Sequence, residues 1–461
     1  MQSPYCNKSV NAVALFNLVK GYHPKYDAKA LNREKLFPKL FPKVPYKEQK
    51  LRYAATDLAK ALENFLSHQA FLEERTTVNA FLLKAYAKRG LHKYFGQTLQ
   101  NTQGELQKQS LRDANYFLQA YHFEEEKFNF SPISTKEATG ILKQIMHDLD
   151  QFYMANKLKY CCEVFNYLNV YKNNILIDDQ QPLLLQELLN HLEQNPPSEA
   201  SPAVVLYYQI LLTLIDGDNE THYTTLTEYL QTYKTAFTPQ EMHNMYIYAR
   251  NYCIKKLNTG SDTYTRKLFE LHEELLESKI IMHRGYLIQS DYKNITSIGL
   301  WLKEWDFVEN FINDYKKYLQ PEERKNAYLF NTAHYHFAKK EFQKTLEMLN
   351  QVEFTHTYYH TDTKILIVKC YYELEEVIPL FNIIDTFKAY LRKNKLVSNA
   401  IREVYATFLS VVKKMTRMKM GSRQSIDSLR KEIAKTYLGS NSEWLMEKVN
   451  ELEEQLEKRK W

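Results

Sequence analysis

The sequence predicts an all-α fold: a right-handed α-solenoid of stacked helical hairpins, closed by a C-terminal helix. Three observations carry this expectation. Apolar residues recur at helical spacing in segments of about 12 to 20 residues. Eleven Gly and thirteen Pro in 461 residues are too few for a turn-dense β chain, and eighteen Val do not supply a large sheet. A period of 34 to 37 residues recurs in the second half of the chain, and a helical pair of that length must stack on its neighbours to bury its apolar stripe.

Residues 1–70 read as basic helices with a Pro-rich strap. The strap is the tandem Lys35-Leu-Phe-Pro-Lys-Leu-Phe-Pro-Lys-Val-Pro45. Pro38, Pro42 and Pro45 forbid a regular helix and push the residues before them to extended geometry. Its apolar side chains need cover, so the strap is expected across the first helices; the functional alternative is a short linear motif for a partner. A helix from Tyr46 to Ser67 follows, with Leu51, Ala55, Leu58, Leu62 and Phe65 as its stripe.

Residues 71–194 read as N-terminal helical hairpins. Thr77 to Lys88 and Leu91 to Gln107 flank the turn Arg89-Gly90, and Leu111 to Lys127 and Glu137 to Tyr171 continue the series. Start signals recur. Ser134-Thr-Lys-Glu137 and Thr238-Pro-Gln-Glu241 are capping boxes, in which the hydroxyl accepts from a free backbone N–H and the Glu reaches back. Ser201-Pro202 and Gln320-Pro321 place Pro at a first helical position. Gln194 to Pro202 and Leu257 to Asp262 are loops.

Residues 202–441 read as the repeat region and 442–461 as a capping helix. Lys303-Glu-Trp305 opens one helix and Lys340-Glu-Phe342 another, 37 residues later. From there a period of 34 aligns Phe342 with Glu376, Leu346 with Leu380 and Leu349 with Ile383. The units are Met282–Leu319, Glu322–Gln351 and Thr361–Arg392, with Val397–Leu438 as a looser fourth. In the last segment Ser442 is the expected N-cap, and Leu445, Val449, Leu452 and Leu456 follow at heptad-like steps. A solenoid needs such a helix to cover its last apolar surface; a short dimeric coiled coil is the alternative.

Ala333, Lys340, Phe342 and Thr345-Leu346 give a small residue in one helix, a turn residue, an aromatic opening the next helix and a small residue one turn on, with Thr for the usual Ala. Leu82, Leu83, Tyr86 and Gly90 repeat the first part of that spacing. In these residues the chain resembles the tetratricopeptide-repeat family over about residues 70–130 and 240–420. As a whole it also resembles a group of uncharacterised bacterial helical-repeat proteins. The resemblance implies a fold and a concave groove and supplies no activity. Transferred groove positions fall on Lys84, Lys88, His334, Lys364 and Tyr371. As hypothesised partner contacts they imply an acidic or carboxylate-bearing ligand.

Charge is uneven. Residues 1–60 carry net +8 and residues 413–431 net +6, leaving −8 for the rest of a +6 chain. Lys413, Lys414, Arg417, Lys419 and Arg423 form a candidate anion site, the basis of an alternative reading as a nucleic-acid-associated protein binding through residues 1–60 and 413–431. The competing reading of these charges is a solvated face, and no nucleic-acid-binding signature accompanies them.

Five Cys, an odd and sparse set without zinc spacing, fit a reducing cytoplasm. No stretch approaches the ~20 apolar residues of a membrane span. His356-Thr-Tyr-Tyr-His360 has the i, i+4 spacing of a metal pair but lacks a Glu after the first His. No phosphate-cradling Gly loop or nucleophile elbow occurs. The thirty-five Tyr suit helix–helix packing, with a recognition surface as the functional alternative. The expectation is a non-enzymatic, monomeric scaffold for a protein or peptide partner, without cofactor or metal.

Overall fold

Helix starts obey local chemistry. Thr238 Oγ1 accepts from the Glu241 N–H at 3.2 Å, and Pro239 takes the first helical position, as the capping box requires. Gln320-Pro321 opens a second helix the same way. The computed structural model describes residues 8–24, 26, 31–130, 135–170, 184–259, 261–353, 357–394, 399–435 and 441–458. Among these residues it contains twenty-one α-helices and no β-strand. Ser134, His356 and Gly439 lie outside them.

The chain divides into two compact units, residues 1–208 with 235–237, and residues 209–234 with 238–461. The first holds α1 (Val10–Lys20), α2 (Arg33–Leu40), α3 (Glu48–Glu73), α4 (Arg75–Lys88), α5 (His92–Lys108), α6 (Ala114–Phe130), α7 (Thr135–Val170) and α8 (Leu185–Gln194). α9 (Pro202–Ile215) runs from the first unit into the second.

Two expectations for the first unit need correction. The strap contains a helix: α2 keeps Pro38 inside it. The helix is short, and Pro removes one N–H. Asn32 Oδ1 caps the first turn through the Glu34 N–H at 2.8 Å. Leu36, Phe37 and Phe41 are buried, Phe37 and Phe41 against Leu15, Leu51 and Ala54, and that burial offsets the lost bond. In α3 the expected stripe holds only at its start. Leu51 is buried, but Leu62 is 39% and Phe65 51% exposed, while Ala54 and Ala61 face inward.

The second unit holds α10 (Glu220–Thr232), α11 (Pro239–Asn258), α12 (Thr263–Glu277), α13 (Gln289–Trp301), α14 (Trp305–Tyr315), α15 (Pro321–Ala338), α16 (Phe342–Leu349), α17 (Thr357–Glu373), α18 (Val377–Lys393), α19 (Asn399–Lys419), α20 (Ile426–Lys435) and α21 (Asn441–Lys458). Sequential neighbours pack together, α13 also packs on α15, and α15 on α17.

One turn geometry serves the hairpins α4–α5, α13–α14, α15–α16 and α17–α18. Gly90, Lys303, Lys340 and Glu375 stand at φ of 64°, 60°, 61° and 58°, in the left-handed region. The next residue in each case donates its N–H back across the helix end: Leu91 to Tyr86, Glu304 to Gly299, Glu341 to His336 and Glu376 to Tyr371, at 2.9 to 3.0 Å. This is a Schellman closure, which satisfies carbonyls that a helix end leaves open.

The turn residues 303, 340 and 375 correct the register: the spacing is 37 and then 35, not 34. On that register Val308, Thr345 and Leu380 are equivalent and buried, as are Ile312, Leu349 and Ile384. In the preceding helices Thr296, Ala333 and Val368 form a column at 0% exposure, with Leu83 at the same place before Gly90. The pairing of Leu349 with Ile383 was one residue out of phase.

Tyr is divided between core and surface: among the described residues ten are buried, and nine, Tyr53 and Tyr160 among them, are exposed. Tyr246, Tyr264 and Tyr292 are among the largest fully buried side chains. Tyr246 donates to Glu274 and Tyr292 to the Ile312 carbonyl. Cys161, Cys162, Cys253 and Cys370 are buried free thiols. α21 begins at Asn441, which places Ser442 inside the helix and not at its cap. Its Leu445, Val449 and Leu452 join a core with Phe408, Leu409, Val412 and Met415 of α19 and Leu429 and Ile433 of α20.

Candidate functional site

Helical periodicity in the second unit builds a cavity of about 490 Å³. On α11, Arg250, Ile254, Leu257 and Asn258 recur every three or four residues and so share a face. On α13, Asp291, Asn294, Ser297, Ile298 and Trp301 do the same. Leu268 and His272 of α12 form the floor, and Ser442 and Glu443 at the start of α21 form one edge.

A charge pair anchors the wall. Arg250 Nη1 lies 2.9 Å from Asp291 Oδ1, with the side chains 12% and 9% exposed. A guanidinium placed among Tyr248, Ala249, Tyr252 and Cys253, all buried, needs such a partner. Burial, with Arg250 adding to it, pushes the His272 imidazole down to about 3, so it is neutral. Its Nδ1 is buried with no hydrogen-bond partner among the described residues. Burial also lowers His243, with Arg250 again disfavouring its charged form.

The rim differs from the wall. Asn294 and Glu443 are exposed, and Trp301 is 45% exposed. Glu443 forms no salt bridge among the described residues. Glu443 does act on the buried ammonium of Lys369. The arrangement can therefore hold a ligand by an aromatic face, a carboxylate and an amide. Among the described residues no group of three or more His, Cys, Asp and Glu is placed to hold a metal ion.

The residues expected to line a groove are divided between the units. Lys84, in α4, lies 3.3 Å from the buried carboxylate of Glu126, beside a separate 190 Å³ hollow with Thr76 and His122. Lys88 is exposed at the end of the same helix. His334 in α15 is pushed down to about 4 by burial, then by Lys369 and Lys293, so it is neutral. Lys364 is half-buried and lowered by burial. Tyr371 packs on the core that contains Phe387 and Trp444. On the corrected register Lys84 and His334 share a repeat position with Ser297 and Lys369; Lys88, Lys364 and Tyr371 fall elsewhere.

In the basic segment, Lys413 pairs with Asp385 at 3.1 Å, Lys414 with Glu432 at 2.5 Å and Lys419 with Glu375 at 3.0 Å. Arg417 and Arg423 are exposed. Much of the segment's charge is therefore answered within its own unit.

Sequence reasoning passed over Arg250, His272, Asp291, Asn294, Ser297, Trp301 and Glu443. One signal was present: Arg250 interrupts an aromatic and apolar run, Tyr246 to Cys253, where a lone charge must be paired. Compared with family models, with curated proteins and with solved structures, the chain matches none. Among the described residues no helix is long and apolar enough to cross a membrane.

Proposed function

We propose that the chain is a non-enzymatic binding scaffold. Its tetratricopeptide-like hairpins stack as a right-handed α-solenoid capped by α21, and the 490 Å³ cavity receives a peptide or protein segment. The observation that carries this reading is the division within the cavity. The deep groups, Arg250 and Asp291, satisfy each other, while the rim groups Asn294, Trp301 and Glu443 remain exposed. A repeated turn and a recurring buried column in successive hairpins support the solenoid.

Ser297 lines the cavity and is partly buried, so Ser297→Trp fills it from the α13 wall. The test is binding of an arrayed peptide library to the full chain and to this variant. We expect the variant to melt as the parent does and to lose peptide binding. Equal binding by both chains would remove the cavity as the site. The nucleic-acid reading is weaker because Lys413, Lys414 and Lys419 already have carboxylate partners.

A further inference from the structure

We infer that the cavity selects a cationic group, and specifically the guanidinium of an arginine side chain in an extended peptide. This rests on the scaffold reading and adds the chemistry of the occupant.

The argument begins with charge. Asp291 and Glu443 are carboxylates in the lining, and among the described residues Arg250 is its only cation. Arg250 is committed to Asp291 at 2.9 Å. His272 is the lining residue that could add positive charge, and its burial keeps it neutral. Lys369, a buried cation outside the lining, feels Asp362 and Glu373, which pair with Lys293 and Lys448, and also Glu443. Its ammonium lies 5.3 Å from the Trp444 ring centre. The lining itself therefore carries one carboxylate more than cation, and that carboxylate, Glu443, stands at the exposed edge.

The aromatic group points the same way. Trp301 is 45% exposed in the lining, and an indole face attracts a cation through its quadrupole. A guanidinium suits this rim better than an ammonium. It is planar and can stack on an indole while donating to a carboxylate, and it sheds water more readily. Asn294 and Ser297, on the same face of α13, supply a donor and acceptors for the adjoining peptide unit.

A peptide is preferred to a free amino acid or polyamine because the lining continues past the charged edge into Ile254, Leu257, Leu268 and Ile298. That apolar part asks for a neighbouring side chain.

The test uses the full chain and three pentapeptides that are Ala except at the centre, which is Arg, citrulline or Glu. Trp emission and calorimetry follow binding. The Arg peptide is expected to bind about tenfold or more tighter than its citrulline isostere, as the loss of one charge-assisted contact implies. Glu443→Gln changes an exposed side chain and should abolish that preference while helicity and melting stay unchanged. Trp301→Leu should weaken the Arg peptide a further few fold. Equal binding of Arg and citrulline peptides, or an unaltered preference in Glu443→Gln, overturns the inference. Equal affinity for free arginine overturns the choice of a peptide. Binding of the Glu peptide in preference, lost in Ser297→Trp, would keep the scaffold reading and overturn this one. No peptide binding by any chain would defeat both.

Discussion

A Cβ on Gly299 would lie 2.5 Å from Val308 Cγ2, so α13 and α14 meet where one side chain is absent and a branched methyl fills the space. Val308 is fully buried and β-branched, with little freedom to move aside. Phe269 and Phe307 close the same spot. Gly299→Ala should therefore destabilise the second unit by about 1–3 kcal/mol, the usual range for overpacking. Denaturant titration of the two chains measures it. An unchanged midpoint would mean that the hairpin opens without cost.

Lys303 is exposed and holds φ of 60° in its hairpin turn. Side chains in the left-handed region carry a penalty that Gly does not. Lys303→Gly should stabilise the second unit by about 0.5–1 kcal/mol, and Gly90→Ala should cost the first unit a similar amount. The opposite signs, read from paired melting curves, are the decisive result.

Arg250 and Asp291 are both mostly buried. Asp291→Ala leaves a guanidinium without its partner and should cost about 3–5 kcal/mol. The double change Arg250→Met with Asp291→Leu should cost less than the single one. A double variant worse than Asp291→Ala would show that the pair itself, and not the orphaned charge, is what matters.

His272 titrates near 3 and His334 near 4 in the folded protein, against 6.5 for a free imidazole. Below 6.5 the unfolded chain binds protons that the folded chain refuses, so stability falls with falling pH. The loss begins near 6.5 and continues to about 4 and 3, at about 1.4 kcal/mol per pH unit for each group. Stability from these groups is fully present above 6.5. His272→Leu should flatten the slope between pH 6 and pH 4 by about one proton. An identical slope in both chains would show that His272 ionises freely.

Deleting residues 440–461 uncovers Phe408, Leu409 and Met415, which pack with Leu445, Val449 and Leu452. The expected result is a less stable monomer that aggregates. A dimer that becomes a well-folded monomer on truncation would support the zipper instead. Sedimentation of both chains separates these outcomes.

Helix type was legible wherever periodicity and caps agreed, as at Thr238 and Gln320. What stayed hidden has physical reasons. The left-handed turns at Lys303, Lys340 and Glu375 carry no Gly, so the register slipped by one residue in the last hairpin. Pro38 entered a helix because burial of Phe37 outweighs one missing N–H. Leu62 and Phe65 keep perfect spacing yet stay exposed, since spacing names a face and not its cover. The cavity was hardest to see. Arg250 and Asp291 are 41 residues apart, and Glu443 reaches the same lining from the last helix.

The chain's four Trp, at 301, 305, 444 and 461, all fall in the second unit, while the first has Tyr and Phe as its aromatic residues. Nature has thus placed an optical label on one unit alone. Indole emission, excited at its red edge, follows the second unit without a contribution from the first, whereas far-UV dichroism sums the helices of both. If the two traces separate during denaturation, the units melt as independent bodies, and the gap between the midpoints is the difference in their stabilities. If the traces superimpose, the units unfold as one cooperative body.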